Sequence, residues 1–108
     1  MKPIQTKTTV LEICVSIKDN KRQEFLQMFE LLSGTAFQIN GRTDKRIYEE
    51  IKRPNHFLWT EEWNDADSRD NYFHSDRFRS LLGAIQVLGK LDRIRMGELS
   101  PVREIDDK

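Results

Sequence analysis

Phe57, Trp59, Glu61 and Trp63 alternate with Leu58, Thr60 and Glu62, a period of two that places three large aromatics and one carboxylate on the same side of a strand. A row so apolar cannot be left in water. It must be covered by helices or a partner chain, or it must line a pocket where a flat organic molecule sits. The other residues with chemical potential are Glu12, in an earlier apolar run, and Tyr72, Phe73, His74, Arg77 and Phe78, which follow the aromatic row. His56 and His74 are the only histidines and stand far apart in the chain, a poor basis for a metal site, so none is expected. The chain has no phosphate-cradling glycine loop, nucleophile elbow or Cys-His pairing, which argues against hydrolases and nucleotide-dependent enzymes.

The elements that must position these residues follow from the hydrophobic period. Thr8–Ile17 alternates as a strand, with Leu11, Ile13, Val15 and Ile17 on one face and Val10, Glu12, Cys14 and Ser16 on the other. Asp19 or Asn20 is expected to cap a helix with Phe25, Met28, Phe29 and Leu32 in one stripe, stopped by Ser33-Gly34. Asn40-Gly41 marks a turn, and a second strand is expected over Lys45–Ile51. Arg53-Pro54-Asn55 closes a hairpin, Pro presetting the first turn position and Asn tolerating the next, so that this strand pairs antiparallel with His56–Trp63. Asn64 is expected to cap the next helix, with Asp65 and Asp67 at the positive end of its dipole. Ser75 offers a second cap, which predicts a break near His74, and Phe78, Leu81, Leu82, Ile85 and Leu88 then share a face up to Gly89. A last strand covers Lys90–Leu99 and precedes a polar tail at residues 100–108. The order β, α, β, β, α, β predicts an α+β, ferredoxin-like fold: one antiparallel four-stranded sheet with its helices on a single face.

Composition bounds the class. A chain of 108 residues forms one domain, residues 1–108, with a core over about 8–99. Its single cysteine, Cys14, gives neither a disulfide framework nor a zinc spacing and reads as a small buried hydrophobe. The balance of 18 basic and 18 acidic residues supplies no field to attract nucleic acid or an anionic membrane. Its apolar runs are short and the first residues lack the apolar core of a signal peptide, so a cytoplasmic protein is expected. Helices cover only one side of the sheet, and the other side is expected to carry Val10, Cys14 and part of the aromatic row. Two such faces meeting would give a two-fold symmetric homodimer with a barrel-like interior.

The first strand, the helix with Phe25, the Pro54-Asn55 hairpin, Phe57, Glu61-Glu62-Trp63 and Ser75-Asp76-Arg77-Phe78 together resemble the antibiotic biosynthesis monooxygenase (ABM) domain of the dimeric α/β-barrel superfamily. The resemblance runs from Thr8 to Leu99, and its most specific part is Glu-x-Trp followed twelve residues later by Ser-x-x-Phe. It implies a ferredoxin-like homodimer with a pocket in each subunit between sheet and helices. It also implies oxidation of a small aromatic or quinol-type molecule by molecular oxygen without metal, flavin or other cofactor, although some relatives degrade haem or handle small signalling molecules. In the haem-degrading branch an iron-binding histidine stands where this chain has Leu82, which cannot ligate iron. Many other relatives carry histidines where this chain has Tyr72 and Arg77.

Cofactor-independent oxygenation needs a dry aromatic cavity, a proton acceptor and donors for the developing anion. On this reading Trp59, Trp63, Phe73 and Phe78 form walls, Glu61 or Glu12 accepts the proton, and Tyr72, His74 or Arg77 stabilises charge. Bland roles stand beside these: Trp59 and Trp63 as core or interface anchors, Glu61 as an ion-pair partner and His74 as a cap or surface residue. The alternative is a dimeric ligand-binding or stress-associated module with the same pocket and no turnover.

Overall fold

The structure is a computed structural model that describes residues 8–34 and 38–99. Strand β1 (Thr8–Ile17) leads through a 3-10 turn (Asp19–Lys21) into helix α1 (Arg22–Leu32). Strands β2 (Arg42–Glu49) and β3 (His56–Trp63) follow, then helices α2 (Ala66–Phe73) and α3 (Asp76–Leu88) and strand β4 (Gly89–Leu99). The sheet order is β2-β3-β1-β4, all antiparallel, so the expected α+β ferredoxin-like topology is the one formed. The expected polar tail lies outside the described residues.

The alternation in β1 and β3 sets the layers. Leu11, Ile13, Val15 and Ile17 of β1 and Phe57, Trp59, Glu61 and Trp63 of β3 are all buried, packed with Phe25 and Phe29 of α1 and Phe78, Leu81, Ile85 and Leu88 of α3. Each large side chain removed from water here contributes on the order of 1.5–3 kcal/mol. Phe25 meets Phe57 with ring centroids 5.0 Å apart, and Phe29 meets Trp59 edge-on at 4.9 Å. This corrects one expectation: no part of the aromatic row reaches the uncovered side, because all three aromatics share the helical face with Glu61. The uncovered side instead mixes Val10, Cys14, Leu58 and Tyr48 with the bonded pairs Glu12–Arg95 and Arg46–Asp44.

Several boundaries also differ from the sequence reading. Strand β2 begins at Arg42 and ends at Glu49, leaving Ile51 98% exposed in the turn. The hairpin hydrogen bonds run out at Glu50–His56, and Ile51 lies beyond them. Neither Asp19 nor Asn20 caps α1. The residue before α1 is Lys21, with no side-chain cap, while Asp19 accepts a bond from Asn55 Nδ2 at 2.9 Å. Asn55 sits at φ 67°, the left-handed conformation that asparagine tolerates, and its carbonyl also accepts from the Ile17 amide at 2.8 Å. It thereby ties the β2–β3 hairpin to the β1–α1 corner. Asp65, not Asn64, caps α2, accepting the Ser68 amide at 2.7 Å, and Ser75 caps α3 by accepting from Phe78. At Gly89 a Cβ would stand 2.1 Å from the Ser16 carbonyl oxygen, so only glycine lets β4 lie this close to β1.

Candidate functional site

Between α1, α3 and the helical face of the sheet lies a cavity of about 430 Å³. Met28 and Leu32 of α1, Ile39 ahead of β2, Arg42 and Lys45 of β2, Trp59 of β3 and Tyr72 of α2 form part of its wall, and α3 closes it with Asp76, Arg77, Ser80, Leu81 and Ala84. The α3 contribution is a helical face: Arg77, Ser80, Leu81 and Ala84 fall at i, i+3, i+4 and i+7.

Hairpin register brings the charges together. Lys45 stands opposite Glu61 across the β2–β3 ladder, so both side chains point to the helical face. Arg42 would point away from it in a regular strand. An irregularity between Arg42 and Asp44 places Arg42 opposite Trp63 instead, which turns its guanidinium inward. Arg42 Nη1 then reaches Glu61 Oε2 at 3.4 Å, and Trp59 Nε1 donates to the same oxygen at 3.0 Å. Glu61 is fully buried, and its other carboxylate oxygen has no hydrogen-bond partner. Burial pushes the Glu61 pKa upward, against the opposing pull of Arg42 and the Trp59 hydrogen bond.

The Lys45 ammonium is seated between rings, 4.5 Å from the centre of the Trp59 ring and 4.7 Å from that of Phe29. Its nitrogen is buried and makes no hydrogen bond. Burial, aided by the nearby positive charge of Arg42, lowers its pKa to about 8, with Glu61 and Glu30 pulling the other way. Tyr72 lies between Trp63 and Phe78, with centroids at 5.1 and 5.2 Å, and burial followed by the charge of Glu61 raises its pKa, so the phenol stays protonated. The result is a mostly apolar chamber with a neutral hydroxyl, a weakly basic amine and two guanidinium groups on its wall.

Of the residues singled out from the sequence, Trp59, Tyr72 and Arg77 line this cavity, and Glu61 stands directly behind Trp59, Arg42 and Lys45. Trp63 and Phe78 are buried beneath Tyr72 and serve as its packing bed. Phe73 packs on Phe78 and His74, away from the cavity wall. His74 is exposed and ends α2, its amide donating to the Asp70 carbonyl at 3.1 Å while the Ser75 amide donates to that of Tyr72 at 2.9 Å. Glu12 is on the opposite side of the sheet, held by Arg95 at 2.6 and 3.0 Å. An even-numbered position in β1 cannot share a face with the odd-numbered row, which separates Glu12 from the cavity.

Sequence reasoning missed Lys45 and Arg42. The hairpin offered a signal for Lys45, because folding the chain about Arg53 pairs it with Glu61. Nothing local marks Arg42, whose inward turn depends on the bulge. Among the described residues no group of three His, Cys, Asp or Glu side chains is placed to hold a metal ion, and no helix is long and apolar enough to cross a membrane.

The fold is shared with solved structures over nearly all of the chain. A Deinococcus radiodurans protein, assigned provisionally by its name to the antibiotic biosynthesis monooxygenases, superposes with a TM-score of 0.71, covering 93% of this chain and 98% of its own at 15% identity. The chain has the ABM fold. A structure named as an antibiotic biosynthesis monooxygenase matches at TM-score 0.65 and 18% identity over 91% of this chain and 100% of its own. A conserved protein of Methanosarcina mazei Go1 matches at 0.69 and 21% identity over 88% and 93%. At these identities the ABM likeness is one of architecture. No family model matches the chain, and no curated relative does.

Proposed function

We propose that the protein is a cofactor-independent monooxygenase that oxidises a small aromatic or quinol-type substrate with molecular oxygen. The observation that supports this most is the pairing, in one cavity of an ABM-like fold, of an apolar aromatic lining with a buried amine poised near neutrality.

In this reading the substrate brings its own electrons. Neutral Lys45 accepts a proton from a phenol or an activated methylene, and the ammonium so formed holds the resulting enolate or phenolate, with Tyr72 donating a hydrogen bond to it. The carbanion then reduces oxygen, and reprotonation gives a hydroperoxide at the same carbon. Loss of water from that hydroperoxide leaves a carbonyl, so one oxygen atom enters the product and the other leaves as water. Glu61 acts through its neighbours: its charge keeps Arg42 inward and raises the basicity of Lys45. Trp59 supplies a wall and excludes water. The working unit is a homodimer joined through the uncovered sheet face around Val10, Cys14 and Leu58.

Oxygen-electrode measurements with anthrone and hydroquinone test this reading. Oxygen consumption above background that is lost in Lys45→Met supports it. Tight binding of the same compounds with no oxygen consumed leaves a ligand-binding module, and the catalytic proposal fails.

A further inference from the structure

Arginines in this protein are almost always answered by acids. Among the described residues Arg22, Arg42, Arg46, Arg53, Arg69, Arg79 and Arg95 each meet a carboxylate at 2.5–3.4 Å. Arg77 and Arg93 meet none; Arg93 reaches Cys14 Sγ on the uncovered side of the sheet, whereas Arg77 is on the cavity wall. The one acid beside it on that wall, Asp76, points to solvent with its side chain 96% exposed and is bonded to Arg79 at 3.2 Å. Glu61, behind the wall, is already bonded to Arg42 and Trp59. The lining therefore carries Arg42, Lys45 and Arg77 against Asp76 alone, in a chain whose overall charge is zero.

The cavity also has two ends. Along α3 its wall passes from Arg77 and Ser80 to Leu81 and Ala84, facing Met28 and Leu32 of α1. Seven helical residues span roughly 10 Å at 1.5 Å rise per residue, about the length of two fused aromatic rings. We infer that the ligand carries a carboxylate, set against Arg77 and Ser80, on a flat two-ring apolar body that runs along α3 toward Ala84. An unpaired guanidinium offers two parallel donors to a carboxylate, a geometry that a phenol or ketone cannot match. The inference rests on this cavity being the substrate site, and it narrows the substrate to an aromatic acid.

Isothermal titration with 6-hydroxy-2-naphthoate and 2-naphthol, which share the ring system and differ in the carboxylate, decides it. The acid is expected to bind the native protein at least about tenfold more tightly, a difference of about 1.4 kcal/mol. Arg77→Met should abolish that preference while the affinity for 2-naphthol stays as it was. Arg77→Lys should keep part of the preference, and added salt should weaken the binding of the acid alone. Equal affinities in the native protein, a preference that survives Arg77→Met, or no binding of either probe would each overturn the inference. Oxygen uptake separates it from the catalytic reading. Preference for the acid without oxygen consumption leaves the anion site and removes the catalysis. Consumption with 2-naphthol equal to that with the acid does the reverse.

Discussion

Lys45 is a costly residue to keep. Its ammonium nitrogen is buried without a hydrogen bond, compensated only by the faces of Trp59 and Phe29 and by the charges of Glu61 and Glu30. Its pKa falls from 10.5 in the unfolded chain to about 8 in the folded one, so between these values the unfolded state holds more protons and stability rises with pH. Below about pH 8 the penalty is fully present. Thermal melts should therefore show Lys45→Met more stable than the native protein at neutral pH, with the gap closing toward pH 10.5; a gap independent of pH would contradict the assigned shift. Glu61 offers a complementary test. Its negative charge raises the Lys45 pKa, so Glu61→Gln should move the Lys45 titration to lower pH, visible in the NMR titration of the lysine side chain and in the acid limb of the oxygen-uptake profile. Were that limb to stay in place, Lys45 would not be the group that sets it.

At the level of elements, two backbone features decide whether the site forms. The bulge between Arg42 and Asp44 turns Arg42 toward Glu61. Replacing Arg42 by Met keeps the bulge but removes the cation it turns inward, leaving Glu61 buried with one positive neighbour fewer. The expected result is a raised Glu61 pKa together with lower stability by about 1–3 kcal/mol, the cost of an uncompensated buried acid. Carbon-detected NMR titration of the Glu61 carboxyl would read the first and urea unfolding the second. Gly89 governs the return of the chain from α3 into β4, where its missing Cβ makes room for the Ser16 carbonyl. Gly89→Ala forces the two backbones apart and should lower the urea midpoint by an amount equivalent to about 1–3 kcal/mol. No change in midpoint would mean that β4 shifts freely. The element order, the hairpin at Pro54-Asn55, the break near His74 and the Ser75 cap were all legible in the sequence, because each rests on a local conformational preference. The start of β2 was not, since residues 42–44 carry no apolar alternation and acquire their strand only by pairing with β3.

For the whole molecule, the second face of the sheet is the one without helical cover. It bears Tyr48, 51% exposed, with Leu58, Cys14 and Val10 between two lines of paired charges. A subunit of 12.8 kDa that associates through this face sediments at twice that mass, and Leu58→Arg, at its centre, is expected to return it to a single subunit. Native protein that sediments as one subunit at micromolar concentration would refute the dimer. The sequence by itself determined which side chains share a strand face, through period-two alternation in β1 and β3, and which helical stripes seek cover; strand register decided that the whole aromatic row joins Leu11, Ile13 and Phe25 beneath the helices. It also ruled out a haem-type ligand at Leu82, since side-chain chemistry is fixed by residue type. Tertiary structure alone decided which polar groups share the cavity. Glu12 and Glu61 are both acids in strands, yet strand register puts them on opposite faces, while a one-residue bulge and a hairpin bring Arg42 and Lys45 to Glu61 from positions about 16–20 residues away in the chain. Local propensity carries no information about such distant pairings, because their energy exists only once the sheet has closed.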